Sequence, residues 1–151
     1  MTSAPQGSRK NTGISMTIFL DSNIILDIFL NNKDFYDESK KILSLADLDN
    51  IDYFISAASI TDIFYILNKH IKNPDEVKNH LKSLLKIVSI AGIDESCIRN
   101  ALDSSWKDFE DAVQHEASVQ IRADYLVTRN TSDFKSSFVE VITPADFLKR
   151  F

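Results

Sequence analysis

Residues 17–30, TIFLDSNIILDIFL, set an apolar run with no polar alternation directly against Asp21, Ser22 and Asn23, after which apolar residues resume at helical spacing. A short run of this kind, rich in β-branched and aromatic side chains, predicts a strand buried on both faces, and such strands belong to parallel sheets. Parallel neighbours cannot be joined by tight turns, so the chain between them must cross over, usually as helix. The rest of the sequence obeys that constraint. Further strands are predicted at residues 51–55, 87–90, 125–128 and 139–142, and about seven helical segments alternate with the five strands. The architecture this implies is α/β, a five-stranded parallel sheet with helices on both faces.

Open parallel sheets hold their ligands just beyond the carboxyl ends of the strands. Asp21 is delivered to that edge by the first strand. The competing explanation is local: Asp21 or Ser22 caps the helix that follows.

Three more acids fall at comparable places. Asp62 follows the second strand, near the start of a helix predicted through His70; with Ser59 as its cap, Asp62 completes a Ser-x-x-Asp capping box. Asp111 stands in the first turn of a helix whose apolar face is Phe109, Val113, Ala117 and Ile121, with Asp108 as cap and His115 on the adjacent face. Asp133 lies in the polar loop 129–137 after the fourth strand, where an Asx turn would account for it. Each acid has a local explanation, but none explains why all four reach one edge. Converging carboxylates repel one another unless a cation or a proton intervenes, and hard oxygen donors select Mg²⁺ or Mn²⁺.

Composition narrows the alternatives. Cys97 is the only cysteine and His70, His80 and His115 are scattered, so neither a disulfide within the chain nor a zinc-binding spacing is present. Cys97 reads as a core residue on a helix capped by Asp94. No apolar run is long enough for a membrane span, and no signal-peptide pattern opens the chain, which makes the cytoplasm the expected location. Residues 1–15 are polar, with no periodicity, and read as a disordered tail; residues 16–151 read as one domain. The net charge of −5 argues against binding nucleic acid by bulk neutralisation. A local stripe remains: Lys78, Lys82 and Lys86 line one face of the helix opened by Pro74, where they could hold an RNA backbone or simply form a solvated face. Asp34 is the expected cap of the second helix, and Thr143 with Pro144 opens the last.

In this order and spacing, FLDSNIILD, ISAASITDIFYIL, DFEDAVQHEA, and YLVTRNTSDF followed by VEVITPADFL resemble the PIN domain family, which includes VapC-type toxins. The resemblance covers roughly residues 17–151. It implies a three-layer α/β/α sandwich, and an acidic pocket binding Mg²⁺ or Mn²⁺ to cleave RNA. Asp21 then matches the family's first-strand aspartate and Asp111 its aspartate on the later helix. Asp62 stands where the family usually has glutamate. Asn130 stands where a TRD motif usually supplies an acid, leaving Asp133 as the nearby carboxylate.

On this resemblance Asp21, Asp62, Asp111 and Asp133 are the catalytic set, with Asp21, Asp111 and Asp133 as metal ligands. Asn23, Thr128, Asn130, Lys78 and Lys82 are the expected substrate contacts. RNA, an antitoxin protein and a second copy of the chain are the expected partners. The chemistry such a site permits is hydrolysis of a phosphodiester by a metal-activated water, without a protein nucleophile. A haloacid-dehalogenase-like phosphatase would want a second aspartate where Asn23 stands. A non-catalytic module that binds RNA or protein is the other alternative, and metal affinity at Asp21 and Asp111 distinguishes it.

Overall fold

The computed structural model describes residues 15–48 and 50–151, so nearly all of the tail read over residues 1–15 lies outside the described residues. Five parallel strands form one sheet in the order β3-β2-β1-β4-β5. They are β1 (Met16–Leu20), β2 (Ile51–Ser56), β3 (Ser89–Ala91), β4 (Tyr125–Val127) and β5 (Glu140–Ile142). Between β1 and β2 lie α1 (Ser22–Phe29) and α2 (Tyr36–Ser44); between β2 and β3, α3 (Ala57–Ile71) and α4 (Pro74–Leu84); between β3 and β4, α5 (Glu95–Asp103) and α6 (Phe109–Gln120). A 3₁₀ helix, Thr131–Phe134, connects β4 to β5, and α7 (Pro144–Arg150) ends the chain.

This order explains the layers. Crossovers from β1 to β2 and from β2 to β3 travel one way along the sheet, and those from β3 to β4 and from β4 to β5 travel the other. Because such crossovers are right-handed, reversing the direction moves the helices to the opposite face. The core divides accordingly. On one side Ile18, Leu20, Tyr53 and Ile55 pack with Ile24 and Ile25 of α1, Ile63 and Leu67 of α3, Val77 and Leu81 of α4 and Phe147 of α7. On the other, Phe19 and Leu126 pack with Ala117 of α6 and with Phe134 and Val139. β1 is therefore buried from both sides, as its unbroken apolar run requires.

Several expected boundaries move. β3 begins at Ser89 rather than at residue 87, and Ile87 is exposed. Phe35, not Asp34, occupies the cap position of α2, and no side chain closes that end. The cap of α3 is Ser56, whose Oγ accepts from the Ser59 N–H at 3.0 Å. That places Asp62 in the second turn, so it is not part of a capping box. The caps at Asp94, Asp108 and Thr143 are present as expected. Among the described residues, no helix is long and apolar enough to cross a membrane.

Candidate active site

Strand order reverses direction at β1, so the crevice beyond the carboxyl ends of β1 and β4 is the topological switch point of the sheet. Asp21 occupies it. The Asp21 N–H donates to the Val127 carbonyl at 3.0 Å, which ties the residue to the end of β4. Its backbone holds the cap position of α1, yet its carboxylate makes no cap hydrogen bond. Instead, four side chains donate to it. Oδ2 accepts from Thr128 Oγ1 at 2.7 Å and Asn23 Nδ2 at 3.1 Å, and Oδ1 from Gln114 Nε2 at 3.3 Å and Ser22 Oγ at 3.4 Å. Residue Asp21 is only 6% exposed. Burying a carboxylate is costly unless it is hydrogen-bonded, and here the donors come from the start of α1, the end of β4 and α6. The local explanation by capping fails, and a converging polar site takes its place.

Asp111 faces this carboxylate from the first turn of α6. Burial raises its pKa to about 7, reinforced by the negative charges of Asp108, Asp21 and Asp133. Asp21, Asp108 and Asp133 are thus each within electrostatic reach of Asp111. Asp133 is exposed on the 3₁₀ helix and, among the described residues, its carboxylate takes no hydrogen bond that would make it an Asx turn. Asp62 is placed differently. Its carboxyl shares a hydrogen bond with Glu110, which with burial and the charges of Asp62, Asp108 and Asp111 raises the Glu110 pKa. Asp62 joins the cluster through Glu110, a residue whose place in the first turn of α6 the helix dipole alone would explain.

The remaining expected site residues separate into two groups. Asn23 and Thr128 are at the centre but engaged with Asp21, and the Thr128 hydroxyl also accepts from the Asn130 N–H at 3.1 Å. Asn130 itself is exposed. Lys78 and Lys82 are exposed on α4, and among the described residues no ion pair joins either to an acid. His115 turns away into the second core, stacked on Trp106 at 4.7 Å between ring centroids, with Nε2 accepting from the Phe138 N–H at 3.0 Å. Burial lowers its pKa, against the opposing charge of Glu116. Gln114, which the sequence pattern did not single out, lies three residues beyond Asp111 and so shares its helix face.

The donor set suits a hard divalent cation. Two amide oxygens, Asn23 Oδ1 and Gln114 Oε1, are buried without a partner while their amide nitrogens donate to Asp21. The acids around Asp111 raise its pKa, and no positive charge offsets them there. Among the described residues, no three acidic, imidazole or thiol groups are gathered closely enough to enclose an ion. The fit is therefore to a cation held by one or two carboxylates and otherwise by water, the habit of Mg²⁺-like ions.

Two outcomes follow for the free protein. Thr128→Val removes one donor that orients Asp21, and metal affinity and turnover should fall together by roughly 10- to 100-fold. Unchanged calorimetric affinity would make Thr128 dispensable. Asp111→Asn tests the repulsion. An aspartate with a folded pKa near 7 binds its proton more tightly than in the unfolded chain, so metal-free stability declines as pH rises from about 4 to about 7. The asparagine variant escapes that decline. It should melt above the wild type at pH 7.5 in EDTA, with the gap closing toward pH 4, and melting curves with equal pH slopes would contradict this.

The chain is 25% identical over 142 residues to a protein named Ribonuclease VapC1 from Aquifex aeolicus, covering 91% of this chain and 96% of that one. Its fold is similar to the structure of VapBC2 from Rickettsia felis bound to a promoter DNA fragment, at a TM-score of 0.65, 19% identity, and coverage of 85% of this chain and 98% of that one. VapC20 from Mycobacterium tuberculosis, described as a sarcin–ricin loop cleaving toxin, superposes at a TM-score of 0.63 with 15% identity, covering 82% and 98%. A toxin–antitoxin complex from Klebsiella pneumoniae does so at 0.64 with 22% identity, covering 84% and 97%. The family model described as PIN domain matches residues 17–132, a span containing Asp21, Asp62, Glu110, Asp111, Gln114 and Thr128, and the chain belongs to the PIN domain family.

Proposed function

We propose that this protein is a Mg²⁺- or Mn²⁺-dependent endoribonuclease of the cytoplasm, and the toxin of a toxin–antitoxin pair that acts as a homodimer. The observation that carries the reading is Asp21: buried at the switch point, released from capping, held by four side-chain donors, and facing the mutually repelling Asp111 and Asp133. One or two of Asp21, Asp111 and Asp133 would hold the cation directly, with water completing its shell. When bound, it supplies charge neutralisation at the scissile phosphate and activation of the hydrolytic water.

The chain's own residues do the rest. Thr128, Asn23 and Gln114 keep Asp21 in one orientation, so that little reorganisation is needed during reaction. The proton shared by the Asp62 and Glu110 carboxyls is available to the departing oxygen, and a carboxyl with a raised pKa suits that role near neutral pH. Asn130 meets the substrate. Support for the RNA substrate comes from the similarity to a protein named as a ribonuclease, and for an antitoxin partner from structural neighbours solved as toxin–antitoxin complexes.

Incubation of a single-stranded oligoribonucleotide with the protein in Mg²⁺, Mn²⁺ or EDTA tests the reading. Cleavage in either metal and none in EDTA is expected. Cleavage that persists in EDTA would refute the metal role, and RNA binding with no cleavage in any metal would favour the non-catalytic alternative.

A further inference from the structure

Asp108, Asp111 and Asp133 occupy one part of a larger cleft. Its walls are the segment between α5 and α6, residues 105–108, and the 3₁₀ helix with the two residues after it, and its volume is about 410 Å³. Asp111 and Asp133 line it together with two lysines, Lys107 on the first wall and Lys135 on the second. Both lysines are exposed. Among the described residues, neither forms an ion pair with a carboxylate, although Asp108 adjoins Lys107 in the chain and Asp133 lies two residues before Lys135. The groups that perturb Asp111 are all acidic, so the lysines do not offset the charge there. Two ammonium groups therefore line an acidic cleft without neutralising it, in a protein of net charge −5.

That division of charge suits a phosphodiester backbone. The scissile phosphate needs the acids and their cation, while its neighbours on the strand need counter-charges of their own. Hydroxyls of Ser132 and Ser136 line the same wall as Lys135 and add hydrogen-bond donors. A cleft of about 410 Å³ has room for a nucleotide, and it carries a lysine on each of its two walls. The α4 lysines do not line this cleft, and among the described residues no ion pair joins Lys78 or Lys82 to an acid.

Resting on the ribonuclease reading of this site, we propose that Lys107 and Lys135 form the backbone clamp for single-stranded RNA, gripping phosphates on the two sides of the scissile bond. Lys78 and Lys82 are then a solvated helix face. The clamp belongs to binding, so it can be measured without turnover.

The experiment uses the full chain carrying Asp21→Asn, so that RNA survives, and a fluorescent single-stranded oligoribonucleotide titrated at several KCl concentrations. Lys107→Ala with Lys135→Ala should weaken binding roughly tenfold and lower the slope of log affinity against log salt by about 1.4, two contacts at about 0.7 each. Lys78→Ala with Lys82→Ala should leave both unchanged. The arginine double variant at 107 and 135 should keep the parental slope, which a purely structural role would not require. An unchanged slope in the alanine pair at 107 and 135, loss from the α4 pair instead, or no RNA binding by the parent would each overturn the clamp. Failure of the nuclease reading shows elsewhere, as absence of Mn²⁺-dependent cleavage by the wild type.

Discussion

Asp21→Asn should lower metal-dependent RNA cleavage by well over about 100-fold, beyond the roughly 10- to 100-fold that follows loss of a group that only orients a ligand. The expectation rests on position and partners together. Asp21 is the buried carboxylate onto which Thr128, Asn23, Gln114 and Ser22 all converge. Its charge is also part of what raises the Asp111 pKa. Asparagine keeps the shape but removes the negative ligand. The fold should survive, since the Thr128 hydroxyl can rotate and the Gln114 amide can turn to present its unpartnered Oε1. Circular dichroism and a melting temperature near that of the wild type, beside lost cleavage, are the expected results. Cleavage within about tenfold of wild type would remove Asp21 from the catalytic set, since even an orienting group costs more than that.

The largest effect on stability is expected at Arg129→Ala. Asp27 is 2% exposed at the side chain and Arg129 24%, and Arg129 Nε lies 3.0 Å from Asp27 Oδ2. Asn32 and Ser39 donate to the same carboxylate, and the guanidinium lies over the Phe35 ring at 4.2 Å from its centroid. Removing one partner strands a buried charge, at a cost of roughly 3–5 kcal/mol; the partial exposure of Arg129 argues for the lower end. For a chain of this size that lowers the melting temperature by roughly 6–12 °C. The effect depends on pH. Burial already raises the Asp27 pKa against the opposing charge of Arg129, so without the arginine it must rise further. A folded-state pKa above the unfolded value means that stability falls as pH rises, so the penalty should be greater at pH 8 than at pH 5. A variant with the wild-type melting temperature at pH 8 would contradict this.

The same pair shows what could be read from the sequence and what could not. Asp27 ends the FLDSNIILD segment and Arg129 sits inside the TRN segment, so both lie within motifs that mark the family. Nothing local reveals that they pair, because the contact joins α1 to the loop after β4 across the sheet edge. The strands were legible because a doubly buried strand must be apolar throughout, and the caps at Asp94, Asp108 and Thr143 because their oxygens must reach a nearby N–H. Asp62 was misplaced on its helix because Ser56 and Ser59 are equally good caps as residues. The pairing of Ser56 with Ala91 in the sheet carries β2 to Ser56, and the helix starts at once. Glu110 could not be found, since its hydrogen bond to Asp62 joins separate helices. Gln114 was accessible in principle from its spacing to Asp111, whereas the same spacing rule misplaced His115, which α6 buries against Trp106.

Calorimetric titration of Mn²⁺ into the metal-free wild type and Asp21→Asn proteins tests the central claim, that the carboxylates at the β1/β4 switch point hold a divalent cation. Saturable binding to the wild type, accompanied by proton release as Asp111 ionises, and its loss in Asp21→Asn is the result expected. Equal binding to both proteins, or no binding to either, would contradict it.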